Sequence, residues 1–261
     1  MEVKKNVVFI LNVALENGKS TPYHYSIKSW RHWCEKNDVL FFELNEFIVD
    51  PKELHINIQK WWALDILDLN LDEDYNQVCV VDADTIVHPD CPNFFNETDG
   101  EFGVVVNNGC YEWVTRSIRG WGDALFPEEP KIKTWEYWNS GFVVYSKTHK
   151  PYIKCIQDYF MENNKIVEEH RKKILASADQ TICNYLLIQN NFKVKRMPEC
   201  YNFQDLFRKN LLHMPGHSWW SDELIFLEAG WIYHYCSIPG KGQQPRHVDY
   251  WMERTYKELY G

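Results

Sequence analysis

The chain opens on Val7 to Val13 (VVFILNV), a nearly continuous apolar run of strand length, and beyond it stretches of strand period and helix period alternate. A polar stretch leads into Tyr25 to Lys36, where Ile27, Trp30, Trp33 and Cys34 fall on one side of a helix. Val39 to Leu44 (VLFFEL) then reads as a second buried strand. Pro51 to Leu69 reads as a long helix carrying Ile56, Ile58, Trp61, Trp62, Leu64 and Leu67, and Gln77 to Val81 (QVCVV) as a third strand. Strands that are apolar along their whole length and alternate with helices predict an α/β fold, with a mostly parallel central sheet flanked by helices. In an open sheet of that kind the ligand sits beyond the carboxyl ends of the strands.

The pattern continues with strand-like Phe102 to Val106, Gly141 to Tyr145 and Phe192 to Arg196, and with helix-like Pro151 to Glu162, Asp179 to Ile188 and Val248 to Tyr260. Between them, Tyr111 to Pro130 and Asn202 to Glu228 are rich in Trp, Phe, Gly, Pro and His without a clean period, and are expected to be loops and short helices around a site. No low-complexity tract, repeat or linker divides the chain, so residues 1–261 are expected to form one domain.

Composition narrows the partners. With 28 Lys+Arg against 37 Asp+Glu the net charge is −9, and the field of the whole protein repels polyanions and anionic lipid. Arg171-Lys172-Lys173 is read as a solvated helix face, not a nucleic-acid patch. Aromatic residues reach 16%, more than a core of this size needs, so some rings are expected to line a cleft; Trp113 and Trp121, interleaved with Arg116 and Arg119, are candidates to receive a flat acceptor. The eight cysteines are scattered without a CxxC pair, several inside apolar runs, which fits reduced thiols in a cytoplasmic protein. The first apolar run is too short for a signal peptide core or a membrane span, so no membrane anchor is expected. The sequon Asn96-Glu97-Thr98 is then a chance match.

The chemistry concentrates where the third strand ends. VCVVDADTIVHPD carries an apolar strand directly into Asp82-Ala83-Asp84, and two carboxylates two residues apart at a strand terminus can reach one hard cation together. Such an ion can clamp a diphosphate, the leaving group on which negative charge gathers in sugar transfer. A solvated turn or a helix cap would use the same tripeptide. A haloacid-dehalogenase-like phosphatase also begins with a strand and D-x-D, Asp82 then being the nucleophile. Here, however, Ile86 stands where that motif wants Thr or Val, and the pair does not lie near the start of the domain.

Downstream, Trp138-Asn139-Ser140-Gly141-Phe142 sets an amide, a hydroxyl and a glycine at the entrance of a strand. Asp179-Gln180 opens an apolar helix. Trp231-Ile232-Tyr233-His234 brings a histidine to a strand end, shortly before Gly240-Lys241. Each has a plainer reading: a core histidine, an Asp that caps its helix, an Asn and a Gly that shape a turn.

Taken in order, these motifs resemble those of the GT-A fold glycosyltransferases, and most closely glycosyltransferase family 8, the glycogenin and lipopolysaccharide galactosyltransferase type. Asp82 and Asp84 match its D-x-D, Asn139 to Gly141 its N-[SA]-G, Asp179 and Gln180 its D-Q, and His234 the His of its H-x-x-G-x-x-K ending. Ser237 replaces the Gly of that ending, and Lys241 lies one residue further on than the pattern. The resemblance implies a GT-A, Rossmann-like nucleotide-diphospho-sugar transferase fold and a metal-dependent transferase acting on a nucleoside-diphosphate sugar, a UDP-sugar above all, with retention of configuration. It implies that Asp82, Asp84 and His234 hold Mn²⁺, with Mg²⁺ the alternative, and that Asp179 and Gln180 are the catalytic pair. Donor contacts would come from Asn12 at the end of the first strand, Lys60, Ala83 between the two acids, Asn139, Ser140, Gly141, Gly240 and Lys241. The acceptor is a glycan hydroxyl or a hydroxymethylated DNA base, as in phage-type DNA modification. Two alternatives stand beside this reading: the phosphatase, and a nucleotide-sugar-binding module without turnover.

Overall fold

The computed structural model describes residues 4–13, 23–176, 178–209, 211–212, 223–238 and 248–261. The first apolar run forms β1 (Val7–Leu11), flanked in parallel by β2 (Leu40–Leu44) and β3 (Gln77–Val81). Along β1, Val7 and Phe9 enter one apolar cluster while Val8 and Ile10 enter another, the period of two that a strand imposes when both faces are covered. Helix α1 (His24–Lys36) covers the second cluster with Ile27, Trp30, Trp33 and Cys34. Trp33 is fully buried; it stacks on Phe94 at 4.8 Å between ring centroids and donates from Nε1 to the Cys91 carbonyl at 2.8 Å.

The segment expected as one helix over Pro51 to Leu69 is interrupted. The chain turns through 51–54, forms α2 (Ile56–Gln59), tightens into a 3₁₀ turn at Lys60–Trp62, and resumes as α3 (Ala63–Asn70). Buried Gln59 shows why. Its Oε1 accepts from the Ile48 and Val49 N–H groups and its Nε2 donates to the Val49 and Leu54 carbonyls, which ties the preceding loop to the helix start. The tightened turn carries Lys60 inward.

The remaining elements are β4 (Thr85–Val87), α4 (Phe95–Thr98), β5 (Gly103–Val106), α5 (Tyr111–Leu125), β6 (Trp138–Ser146), α6 (Lys150–Ile174), α7 (Ala178–Gln189), β7 (Lys195–Met197), β8 (Phe203–Gln204), β9 (Ile232–His234) and α8 (Val248–Tyr260). The main sheet has six strands in the order β2-β1-β3-β6-β5-β7, and β4-β9-β8 form a small second sheet. The main sheet is mostly parallel, as expected; β6 alone runs against its neighbours β3 and β5. That reversal brings the first residues of β6 to the carboxyl end of β3, where Asp82 N–H donates to the Gly141 carbonyl at 3.0 Å. α8 closes the small sheet by burying Trp251 and Met252 with Ile86, Tyr233 and Tyr235.

A second expectation is overturned. Tyr111 to Leu125 is one continuous helix, not loops and short helices, with Val114, Ile118 and Trp121 buried along one side. Gly122, which looks like a breaker, is a close approach: a Cβ there would collide with the Tyr185 hydroxyl of α7 and lie 2.9 Å from Lys131 Nζ. Trp121 is completely buried in this packing and cannot receive an acceptor. Arg171-Lys172-Lys173 forms the last turn of α6, with Arg171 paired to Glu168, in line with the solvated-face reading.

Trp33→Ala removes the stack on Phe94 and the bond to Cys91 together, and is expected to cost about 3–5 kcal/mol, read as a fall in the urea midpoint with little change in slope.

Candidate active site

Main-chain pairing assembles the acidic cluster. After Asp82 the chain turns through Ala83 into β4, a turn held by Thr85 Oγ1, which donates to the Asp82 carbonyl at 2.8 Å and accepts from Trp30 Nε1 at 2.9 Å. β4 then pairs antiparallel with β9 so that Thr85 faces His234, and Tyr235 N–H donates to the Asp84 carbonyl at 2.8 Å. His234 Nε2 therefore comes to 3.2 Å from Asp84 Oδ1 and 3.9 Å from Asp82 Oδ2. One ligand atom from each of the three residues lies within 4.8 Å of the others, close enough for one ion to hold all three.

Gly141 forms the floor of this group. A Cβ there would overlap His234 Cε1 and stand 2.9 Å from both Asp82 Oδ2 and Asn139 Oδ1, so only glycine leaves the three groups room to converge. This cradle, together with two carboxylates and an imidazole, fits a divalent cation; mixed oxygen and nitrogen donors suit Mn²⁺ at least as well as Mg²⁺.

Lys60 is the cation already present. Its Nζ is 2.7 Å from Asp82 Oδ1, 3.7 Å from Asp179 Oδ2 and 3.4 Å from Ser140 Oγ, and the residue is 4% exposed. Burial works to lower its pKa, but Asp82 and Asp179 outweigh that and hold it above the usual lysine value. Burial pushes the Asp82 carboxyl up, Lys60 offsets this in part, and neighbouring Asp84 adds to it. Burial also acts to raise Asp84, yet the imidazole of His234 outweighs it and its pKa falls. His234 is the mirror case: burial works downward, Asp84 and Asp82 upward, and the net shift is upward.

The downstream motifs come to the same place. Asp179 and Gln180 lie in the first turn of α7, which begins at Ala178 and docks on β6 through Asn184. The side chain of Asn184 pairs with both the N–H and the carbonyl of Trp138 at 3.0 Å. Ser140 Oγ donates to Asp179 Oδ2 at 2.7 Å, and Asn139 Nδ2 donates to Gln180 Oε1 at 3.0 Å. Ser237, in the place of the family's glycine, takes a φ of 62°, the left-handed conformation that glycine adopts freely. Gly240 and Lys241 lie outside the described residues. Asn12 is not brought into the group; its Nδ2 donates to Glu43 Oε1 at 2.8 Å.

Lys60, Asp82, Ala83, Asp84, Asp179 and His234 line one cavity of about 390 Å³, and Asn139, Ser140 and Gln180 line it with them. The structure adds residues that belong to no sequence motif. Arg208 and Asp205 line the same cavity and face each other at 3.5 Å, and Asn202 Oδ1 lies 3.0 Å from His234 Nδ1. Trp113, one of the candidate acceptor rings, lines it as well.

No family model and no curated protein sequence matches this chain. Solved structures do match. A glycosyltransferase involved in the glycosylation of the major capsid of PBCV-1 is 10% identical, with a TM-score of 0.52 over 95% of this chain and 98% of that one. The galactosyltransferase LgtC, solved with donor and acceptor sugar analogues, is 16% identical, with a TM-score of 0.52 over 97% of this chain and 94% of that one. The chain has the GT-A glycosyltransferase fold.

Two outcomes are expected of this geometry. Gly141→Ala should weaken Mn²⁺ binding at least about tenfold in isothermal titration, because ligands that cannot converge lose a metal contact. In the parent protein Mn²⁺ affinity should rise with pH up to the raised pKa of His234 and level off above it, since the ion must displace the Nε2 proton; His234→Gln should flatten that profile.

Proposed function

We propose that this protein is a metal-dependent glycosyltransferase that moves a sugar from a nucleoside-diphosphate donor, a UDP-sugar, to an acceptor hydroxyl with retention of configuration. The observation that carries the reading is the convergence of Asp82, Asp84 and His234 with buried Lys60 and Asp179 in one cavity of a GT-A fold.

A divalent cation held by Asp82, Asp84 and His234 would supply the charge that neutralises the departing diphosphate. The rest falls to the chain. Lys60 pairs with Asp82 and Asp179 and holds both side chains in place, at no cost in reorganisation during the reaction. Asp179, oriented by Ser140, turns a carboxylate toward the donor sugar and supports the positive charge that grows at its anomeric carbon. Asn139 and Gln180 hold each other rigid beside it. Arg208, and Lys241 by the family pattern, offer further positive charge to the phosphates. In retention the acceptor attacks from the face that the diphosphate leaves. A second cavity of about 350 Å³ shares Asn57, Trp113 and Asp179 with the first, which gives an acceptor room against the donor sugar.

Among the described residues no helix is long and apolar enough to cross a membrane. All eight cysteines are free thiols, which supports a cytoplasmic site of action, where nucleotide sugars are met. The acceptor is then a glycan or a hydroxymethylated DNA base; the net charge of −9 favours the glycan, since it opposes duplex binding.

Mass spectrometry of a nucleotide-sugar panel with Mn²⁺ or EDTA tests the proposal. One donor should release free nucleoside diphosphate only with metal, and Asp84→Asn should cut the release at least about a hundredfold. Metal-dependent binding without release would identify a binding module, and neither binding nor release would end the transferase reading.

A further inference from the structure

A line of hydrogen bonds connects the metal group to the helix that carries Asp179. His234 Nδ1 meets Asn202 Oδ1 at 3.0 Å, Asn202 Nδ2 meets Asn139 Oδ1 at 2.9 Å, and Asn139 Nδ2 meets Gln180 Oε1 at 3.0 Å. All four residues are buried. The shape of a side-chain amide does not say which end is oxygen; only a neighbour that can do nothing but donate fixes it. Two main-chain groups serve here. Gly141 N–H donates to Asn139 Oδ1 at 2.8 Å and Ser140 N–H donates to Gln180 Oε1 at 3.3 Å.

These two bonds set the direction of the whole line. With the Asn139 oxygen pinned by Gly141, Asn202 must meet it with its NH₂ and turn its own carbonyl to His234. A carbonyl only accepts, so the hydrogen sits on Nδ1. In the neutral ring the lone pair is then on Nε2, the nitrogen that faces Asp82 and Asp84.

We infer that Asn202 is the positioning residue that fixes His234 as the Nδ1–H tautomer and so makes Nε2 the atom open to a divalent cation. The opposite orientation of Asn202 would put a hydrogen on Nε2 and remove the imidazole from the ligand set. The inference rests on the metal-dependent reading of this site, and it assigns a role to a residue that carries no motif.

Two variants separate positioning from packing. Asn202→Asp keeps an oxygen for Nδ1 but sets its second oxygen against the pinned oxygen of Asn139, so the line is broken there while the tautomer is kept. Asn202→Ala removes both. The ring nitrogens of His234 are read by two-bond ¹H–¹⁵N correlation on the metal-free protein at alkaline pH. Mn²⁺ affinity is read by electron paramagnetic resonance of the free ion, and thermal melts monitor folding. The parent and Asn202→Asp are expected to show Nδ1–H and Mn²⁺ dissociation constants within about threefold of each other. Asn202→Ala should populate Nε2–H and bind Mn²⁺ about 10–100-fold more weakly. Nε2–H in the parent overturns the inference. So does an Asn202→Asp variant as impaired as Asn202→Ala, because that is what a packing role demands. A parent with Nδ1–H that binds Mn²⁺ but turns over no nucleotide sugar leaves the role of Asn202 standing and removes the transferase reading instead.

Discussion

Two carboxylates and an imidazole repel or desolvate one another unless something other than their own attraction brings them together. Here that something is main-chain pairing. The β4–β9 register sets His234 opposite Thr85, one residue from Asp84, and the bond from Asp82 N–H to the Gly141 carbonyl locks the other acid to β6. Side chains therefore inherit their positions from ladders that are already satisfied, and the cost of crowding like charges is carried by the folding of the sheets.

Lys60 is what makes the crowding tolerable before a cation arrives. Asp82, Asp84 and Asp179 would leave the cavity with more negative charge than a buried place can hold, and a single lysine between Asp82 and Asp179 offsets it. It reaches them because the helix that carries it tightens to a 3₁₀ turn at that residue, itself a consequence of Gln59 being committed to the loop before it.

Much of this was legible in the sequence. The apolar runs mark the strands, because strands buried on both faces have no choice but to be apolar, and D-x-D, N-S-G, D-Q and His234 all reach the cavity. The Tyr111–Leu125 helix was hidden by its mixed composition, in which Gly120 and Gly122 are there for close contact with α6 and α7, a tertiary fact. Asn202 and Arg208 were not legible at all. Their roles exist only once β8 lies beside β9, and nothing local distinguishes them from other polar residues in an aperiodic stretch. Even the placing of Asn139 to Gly141 at the entrance of a strand takes its meaning from β6 running backwards. In a purely parallel sheet the same residues would stand at the far edge.

The ligand set is divided between two sheets of unequal strength. Asp82 directly follows β3 of the six-stranded sheet, whereas Asp84 directly precedes β4 and His234 ends β9, strands of the small sheet that are only three residues long. Short ladders of that kind open at lower free energy than the core they lean on. An ion gripping all three residues would act as a reversible crosslink between two cooperative units, adding its binding energy to the weaker one. The small sheet would then be as firm as the ion is tightly held.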